Sequence, residues 1–191
     1  LVLCDPAVLA TLPAREYRSG CAEVIKYGVL FDGAFFTSLE ETPVREQWES
    51  VIARCVALKR DIVAADEFDR GERQLLNLGH TLGHAVEKCS AYAVSHGEAV
   101  AVGMAVIARA AARRGFCSRE TARRLETLLR RYDLPTGTDI PGDALFQAAL
   151  SDKKIGGGRL NLIVPEAIGR CRIQPIPPEE LRDWLRDGGI A

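Results

Sequence analysis

All three histidines of this 191-residue chain fall within one 17-residue stretch, Asn77-Leu-Gly-His80-Thr-Leu-Gly-His84 followed by His96-Gly-Glu-Ala. Imidazole is the commonest side-chain metal ligand and a proton carrier near neutral pH, so the stretch reads as a candidate site for metal ligation or proton transfer. On a single helix Arg73, Asn77, His80 and His84, spaced by four, three and four residues, would share one stripe. An arginine, an amide and two imidazoles in line are costly to bury without polar partners. A solvated helix face is the bland alternative. Gly79 and Gly83 weigh against it, because glycine inside a helix costs about 1 kcal/mol relative to alanine. Their presence points to close approach by another backbone or a ligand.

Further charged residues sit in apolar settings. Lys59 continues the apolar stripe of its helix, four residues after Cys55 and three before Ile62. From that helix alone, a lysine that snorkels to the surface is the simpler reading. Glu23 and Lys26 share a helix face among Ala22, Val24, Ile25 and Val29, either as a surface ion pair or as a partly buried one. Two histidines and a carboxylate form a common catalytic zinc shell with a position open for water or substrate. His80 and His84 look like the first half of a zinc-protease motif, but that motif needs a glutamate directly after its first histidine. Thr81 stands there, which disfavours a metalloprotease.

The elements that must position these residues read as mainly helical. A short strand at Val2-Leu3 precedes a helix-rich stretch that opens at Thr11-Leu-Pro13 and runs through Tyr27. Thr42-Pro43 predicts a helix start, and the helix that follows carries Val44, Trp48, Val51, Ile52, Cys55, Val56, Ile62 and Val63 at a 3.6-residue period. After the polar loop 66–71 the pattern predicts one helix from about Arg73 to Glu87. Gly97 to Arg114 is alanine-rich and apolar nearly all round, as a central buried helix should be. Ser118 should cap an amphipathic helix ending near Tyr132, and Pro135 to Pro141 a linker before another short helix. Arg159–Val164 and Arg170–Ile173 around Ala167-Ile-Gly169 predict a small hairpin, with a last helix from Pro177-Pro178.

Composition narrows the function class. With 47% hydrophobic residues a core can form, and a net charge of -1 gives no electrostatic case for nucleic acid or an anionic membrane. No apolar run reaches the roughly 18 residues of a membrane span, and the first residues do not read as a signal peptide. The six cysteines are dispersed without a C-x-x-C, so neither a disulfide framework nor a cysteine zinc site is expected, and a cytoplasmic location is. The start on Leu1 reads as a piece of a longer protein.

Four blocks, in order and spanning nearly the whole chain, resemble the 3-dehydroquinate synthase family: Leu12 to Gly28, Arg73 to Glu87, His96 to Met104, and Asp152-Lys-Lys154 followed by the hairpin. The resemblance is to that family's C-terminal, mainly helical domain. It implies that residues 1–191 form a single metal- and substrate-binding domain, with an N-terminal NAD-binding domain absent from the chain. It also implies conversion of 3-deoxy-D-arabino-heptulosonate 7-phosphate to 3-dehydroquinate and phosphate, with catalytic NAD, zinc or cobalt, and a homodimer. Position by position, the implied metal ligands are Glu23, His80 and His96, while His84 becomes a proton-relay or phosphate-side residue. Lys26, Lys59, Arg73, Asn77 and Lys153 or Lys154 would bind the substrate. Lys26 and Asp69 join His84 as implied catalytic residues, Asp69 standing where relatives commonly have the longer Glu. Val8, Leu9, Ala10 and Thr11 would touch NAD. Other sugar-phosphate cyclases and glycerol dehydrogenase-type enzymes share this architecture. A non-catalytic metal-binding or association domain is the reading from a different class.

Overall fold

The computed structural model describes residues 4–152 and 158–191. The expected strand at Val2-Leu3, and Lys153 and Lys154, lie outside the described residues. A 3-10 helix, Pro6–Thr11, is capped by the Asp5 carboxylate, which accepts a hydrogen bond from Ala7 N at 2.9 Å. Helix α1 (Ala14–Phe31) follows Pro13 and buries Ala22, Ile25, Val29 and Leu30. Asp32 ends α1 and starts α2 (Gly33–Glu41), accepting from Phe35 N at 2.9 Å. Helix α2 has no counterpart among the sequence expectations. Its apolar run is only Phe35, Phe36 and Leu39, too short to display a period.

The predicted start at Thr42-Pro43 is corrected. Thr42 closes α2, Pro43 leads into a 3-10 turn at Val44–Glu46, and α3 begins only at Trp48 and runs to Ala65. Its apolar stripe is also less buried than its period implies: Val51 and Ile62 are inside, while Val56 is 54% exposed.

The predicted single helix from Arg73 to Glu87 is two elements. Residues Glu72–Asn77 form a 3-10 helix, Leu78 is extended, and α4 runs from His80 to Cys89. The break sits at Gly79, whose φ of 79° is left-handed, a region open to glycine at no steric cost. A Cβ there would also lie 2.6 Å from the Val100 carbonyl oxygen. The close approach expected at Gly79 and Gly83 is therefore real, and the neighbour is the backbone of the next helix.

That helix is α5 (His96–Arg113), the centre of the molecule. Val100, Ala101, Met104, Ala105 and Ala108 pack into a core with α1, α2 and the helix α6 (Arg119–Arg131), which Ser118 caps as expected. Ala99, Val102, Val106, Ala110 and Ala111 face a second core shared with α4, α7 (Gly142–Asp152) and α8 (Leu181–Asp187). A helix with a core on both sides has no polar face to spare, which explains its composition. Among the described residues the only sheet is the expected hairpin, β1 (Leu160–Ala167) against β2 (Arg170–Ile176), antiparallel with Leu160 opposite Ile176. It is tied to α1 by the Gly169 N–H, which donates to the Val29 carbonyl at 3.0 Å. The fold is thus mainly α with a small C-terminal hairpin, as read from sequence. No helix among the described residues is long and apolar enough to cross a membrane.

Candidate metal centre and anion cleft

Three helices deliver one ligand-bearing side chain each to a common point. Glu23 comes from the middle of α1, His80 is the first residue of α4, and His96 is the first residue of α5. Small residues bring the helix ends together. A Cβ on Gly97 would overlap the Ser19 carbonyl of α1, and one on Gly103 would overlap the Gly79 carbonyl at the start of α4. The Gly97 N–H also donates to Ser19 Oγ at 3.0 Å.

Glu23 Oε1 lies 3.6 Å from His80 Nε2 and 3.7 Å from His96 Nε2. The other nitrogen of each ring is anchored. His80 Nδ1 lies 3.1 Å from the Leu78 carbonyl, which can only accept, so Nδ1 carries the proton and Nε2 presents its lone pair. His96 Nδ1 lies 3.3 Å from both Glu87 carboxylate oxygens, which fixes the same tautomer. Such outer partners are the usual means of aiming metal-binding imidazoles. Glu23 is divided between two neighbours: Oε2 pairs with Lys26 Nζ at 2.7 Å, while Oε1 is buried with no hydrogen-bond partner. An orphaned carboxylate oxygen facing two imidazole lone pairs is a donor set that fits a divalent cation. Zinc bonds of 2.0–2.2 Å set tetrahedral edges of about 3.4 Å, so the two edges that meet at Glu23 are within a few tenths of an ångström of ligating ones.

The electrostatics agree. Burial, and then the Lys26 ammonium, push the His80 pKa down to about 4, which keeps its ring neutral. Burial works to raise the Glu23 pKa, but the Lys26 charge and hydrogen bond with the two imidazoles outweigh it, so the carboxylate stays ionised. Lys26 is almost wholly buried, and its pKa falls below the ordinary lysine value because of that burial, with Glu23 opposing the shift.

Beside the triangle opens a cleft of about 310 Å³. Glu23, Lys26, Tyr27 and His80 line it together with Lys59, Asp69, Arg73, Leu76 and Asn77. Three cations therefore converge on one hollow. Lys59 is exposed, as the snorkelling reading expects, and it also lines the cleft. The loop that carries Asp69 and Arg73 is organised by Asp66, whose carboxylate accepts from the backbone N–H groups of Arg70 at 3.0 Å, Gly71 at 2.8 Å and Arg73 at 3.1 Å. Those three donors, the Arg70 and Gly71 groups first, hold the Asp66 pKa below the usual carboxylate value.

Of the residues singled out from sequence, Glu23, Lys26, Lys59, Asp69, Arg73, Asn77 and His80 meet at this cleft. His96 closes the triangle, and His84 stands one helical turn beyond His80, its ring 5.6 Å from that of His80. The pairing of His80 with His84 as joint metal ligands does not form: no metal-competent group among the described residues contains both. Arg73 and Asn77 reach the cleft from a 3-10 helix and not from the helix of the histidines, which corrects the common stripe. Val8, Leu9, Ala10 and Thr11 lie apart on the N-terminal 3-10 helix, where Val8 is 65% exposed. Ala10 lines a separate hollow against the first turn of α3. Two contributors escaped the sequence reading. Glu87 falls seven residues after His80, on the same helix face. Asp66 opens an Asp-x4-Gly loop, a spacing suited to a carboxylate that caps its own turn.

Comparison with known proteins gives a consistent result. The family described as 3-dehydroquinate synthase C-terminal matches residues 20–155. A 3-dehydroquinate synthase of Synechococcus sp. (strain CC9605) is 44% identical over 196 residues, covering 97% of this chain and 53% of the relative. That of Rhodopseudomonas palustris (strain BisB18) is 45% identical over 203 residues, again covering 97% and 53%. The chain spans about half the length of the curated relatives it matches. Among solved structures, ValA, the 2-epi-5-epi-valiolone synthase of Streptomyces hygroscopicus subsp. jinggangensis 5008 with NAD+ and Zn2+ bound, superposes with a TM-score of 0.86 at 26% identity, covering 97% of this chain and 54% of that one. A 2-deoxy-scyllo-inosose synthase shares the fold at a TM-score of 0.77 and 23% identity, with 95% and 55% covered.

Proposed function

The chain belongs to the 3-dehydroquinate synthase C-terminal family, and from that membership we propose that it is the metal- and substrate-binding part of an enzyme converting 3-deoxy-D-arabino-heptulosonate 7-phosphate to 3-dehydroquinate and phosphate. The observation that carries the proposal is the unpartnered Glu23 Oε1 with His80 Nε2 and His96 Nε2 at 3.6 and 3.7 Å, beside a cleft lined by three cations. Glu23, His80 and His96 are its metal ligands. Zinc or cobalt held there would supply Lewis acidity to a substrate hydroxyl, and NAD held mainly by a further domain would accept and return a hydride. The NAD+ and Zn2+ in the valiolone synthase support this choice, and cobalt accepts the same ligands as zinc.

The chain's own residues do the rest. Lys26, Lys59 and Arg73 bind and orient a substrate that carries a carboxylate and a dianionic phosphate, with Lys153 and Lys154 assigned to the same task. Asn77 presents an amide to substrate hydroxyls. His84 holds and passes a proton at an imidazole nitrogen, and Asp69 offers a carboxylate from the lining of the cleft. Lys26 also fixes Glu23, so that the free Oε1 points at the imidazoles. Val8 to Thr11, largely exposed on their 3-10 helix, are assigned to the side that meets NAD. The same reading makes the working protein a cytoplasmic homodimer. Relatives at 41–45% identity are dehydroquinate synthases, against 26% for the valiolone synthase, which favours this substrate over those of other cyclases.

Zinc titration by calorimetry tests the ligand set. Glu23→Gln and His96→Ala should abolish tight binding, while His84→Ala keeps it. Loss of tight binding in His84→Ala with retention in His96→Ala would overturn the assignment.

A further inference from the structure

The metal triangle does not use all the donors that meet at this corner. On α4, His84 and Glu87 lie one turn apart and both face His96, and a ligand atom from each of the three lies within 4.8 Å of the others. The His84 and His96 rings are 6.2 Å apart and inclined by 35°. His96 thus stands between two carboxylates: Nε2 lies 3.7 Å from Glu23 Oε1, and Nδ1 lies 3.3 Å from Glu87.

We infer that His84, Glu87 and His96 form a second, weaker site for a divalent transition-metal ion, adjoining the Glu23–His80–His96 triangle and sharing His96 with it. The donor set of two imidazoles and one carboxylate is the same as in the triangle, and it is a set that holds zinc with a coordination position left open. Geometry ranks the two. The triangle's edges of 3.6 and 3.7 Å from Glu23 are close to those of a zinc tetrahedron. The imidazoles of the second group stand further apart, with ring centroids 6.2 Å apart against 5.1 Å for His80 and His96, and must draw together before they can share an ion. It must also take Glu87 away from His96 Nδ1, whose proton has to pass to solvent before that nitrogen can ligate, and this removes the partner that aims His96 at the triangle. Loss of such an outer partner typically costs ten- to a hundred-fold in metal affinity, so the two ions oppose one another. The functional consequence rests on the proposed dehydroquinate synthase reading: an ion on His84 ties up the residue assigned to proton transfer, and excess zinc inhibits.

Zinc titration of the metal-free chain, followed by calorimetry with bound metal counted after buffer exchange, should show two steps, the second at least ten-fold weaker. His84→Ala should remove the second step and keep the first. Glu87→Gln should remove the second and weaken the first by roughly ten-fold or more. Glu23→Gln should lose the tight step yet still bind one ion through the other three residues. Circular dichroism verifies that each variant is folded. A single step in the unaltered chain, or a second step unchanged in both His84→Ala and Glu87→Gln, overturns the inference. A tight step insensitive to Glu23→Gln refutes the triangle instead, and the His84 and Glu87 variants still decide the second site.

Discussion

Gly103→Ala should damage the metal centre from a position that touches no ligand. Gly103 lies in α5 where the start of α4 crosses it, and an added Cβ would overlap the Gly79 carbonyl oxygen, with the Gly79 carbonyl carbon at 2.8 Å and its Cα at 3.0 Å. All three are backbone atoms, so no side chain can swing aside. The Gly79 carbonyl accepts the hydrogen bond from Gly83 N at 2.8 Å that opens α4, and His80 is the next residue along. Relief therefore means either parting α4 from α5 or unwinding the turn that carries His80. Overpacking of this kind costs about 1–3 kcal/mol. Replacing glycine by alanine in a helix returns about 1 kcal/mol, which leaves a net loss of up to about 2 kcal/mol. For a chain of this length that lowers Tm by roughly 2–4 °C per kcal/mol. Gly20→Ala is the control: it lies within α1 and meets nothing within 4 Å, so it should gain about 0.5–1 kcal/mol. Urea denaturation of the three proteins measures the stabilities, and zinc titration below the transition should show affinity reduced by about ten-fold or more in Gly103→Ala alone, since a displacement of His80 worth about 1.4 kcal/mol suffices. A Gly103→Ala protein as stable as the parent, with unchanged zinc affinity, would refute the claim that this crossing sets the ligand geometry.

Two further outcomes follow from charged groups that organise backbone. Asp32 joins α1 to α2, accepting from Phe35 N at 2.9 Å and from Arg54 Nε at 2.7 Å. Burial raises its pKa, but the Phe35 bond and then Arg54 outweigh that, so the folded value lies below the unfolded one. Its charge therefore stabilises the fold above the unfolded pKa of about 4, and that contribution is lost as the pH falls through the lower folded value. Asp32→Asn should cost about 1 kcal/mol at pH 7, with the difference from the parent shrinking as the pH drops below about 4 in parallel urea titrations. At the cleft, Asp66→Asn removes a charge that gathers three backbone donors. On the proposed function, assayed together with an NAD-binding part, it should raise KM for the sugar phosphate by roughly three- to ten-fold while kcat stays within about two-fold, since Asp66 organises the loop of Arg73 and lines no part of the cleft.

Local patterns with local causes were legible in the sequence. The all-round apolar run of α5, the Ser118 cap of α6 and the Gly169 turn of the hairpin each follow from residues within a few positions. The break between the 3-10 helix at Glu72–Asn77 and α4 was not, because the polar period of Arg73, Asn77, His80 and His84 runs on through it. The left-handed turn at Gly79 is imposed by the backbone of α5, which adjoins it only in three dimensions. The same limit applies to the triangle. Glu23, His80 and His96 sit on three helices, and no spacing rule links them. The i, i+4 histidine pair that spacing does offer is not the one the structure brings to a common point. Family resemblance implied a trio that the fold does bring within reach of one another, because it carries information about contacts that periodicity lacks. Lys59 shows the converse: its helix alone argued for the surface, where it does lie, and nothing in that helix announces the cleft it lines with Lys26 and Arg73.

The division of Glu23 between Lys26 and the imidazoles also bears on charge. Within the triangle the Glu23 carboxylate cancels the Lys26 ammonium, and the His80 ring is neutral. Lys59 and Arg73 against Asp69 leave the cleft with one positive charge in excess. A divalent metal raises that excess to three. On the proposed reading, the substrate brings three negative charges, two on its phosphate and one on its carboxylate. Metal and substrate therefore each lower the electrostatic cost of binding the other, within a few ångströms and partly out of water, where such interactions are least screened. The two affinities must then be coupled reciprocally. Zinc should tighten binding of the sugar phosphate, and the sugar phosphate should tighten zinc by the same factor. Glu23→Gln, which removes the shared carboxylate, should abolish both effects together. A coupling factor of one, zinc and the sugar phosphate each leaving the other's affinity unchanged, would mean that the anion does not bind beside the triangle.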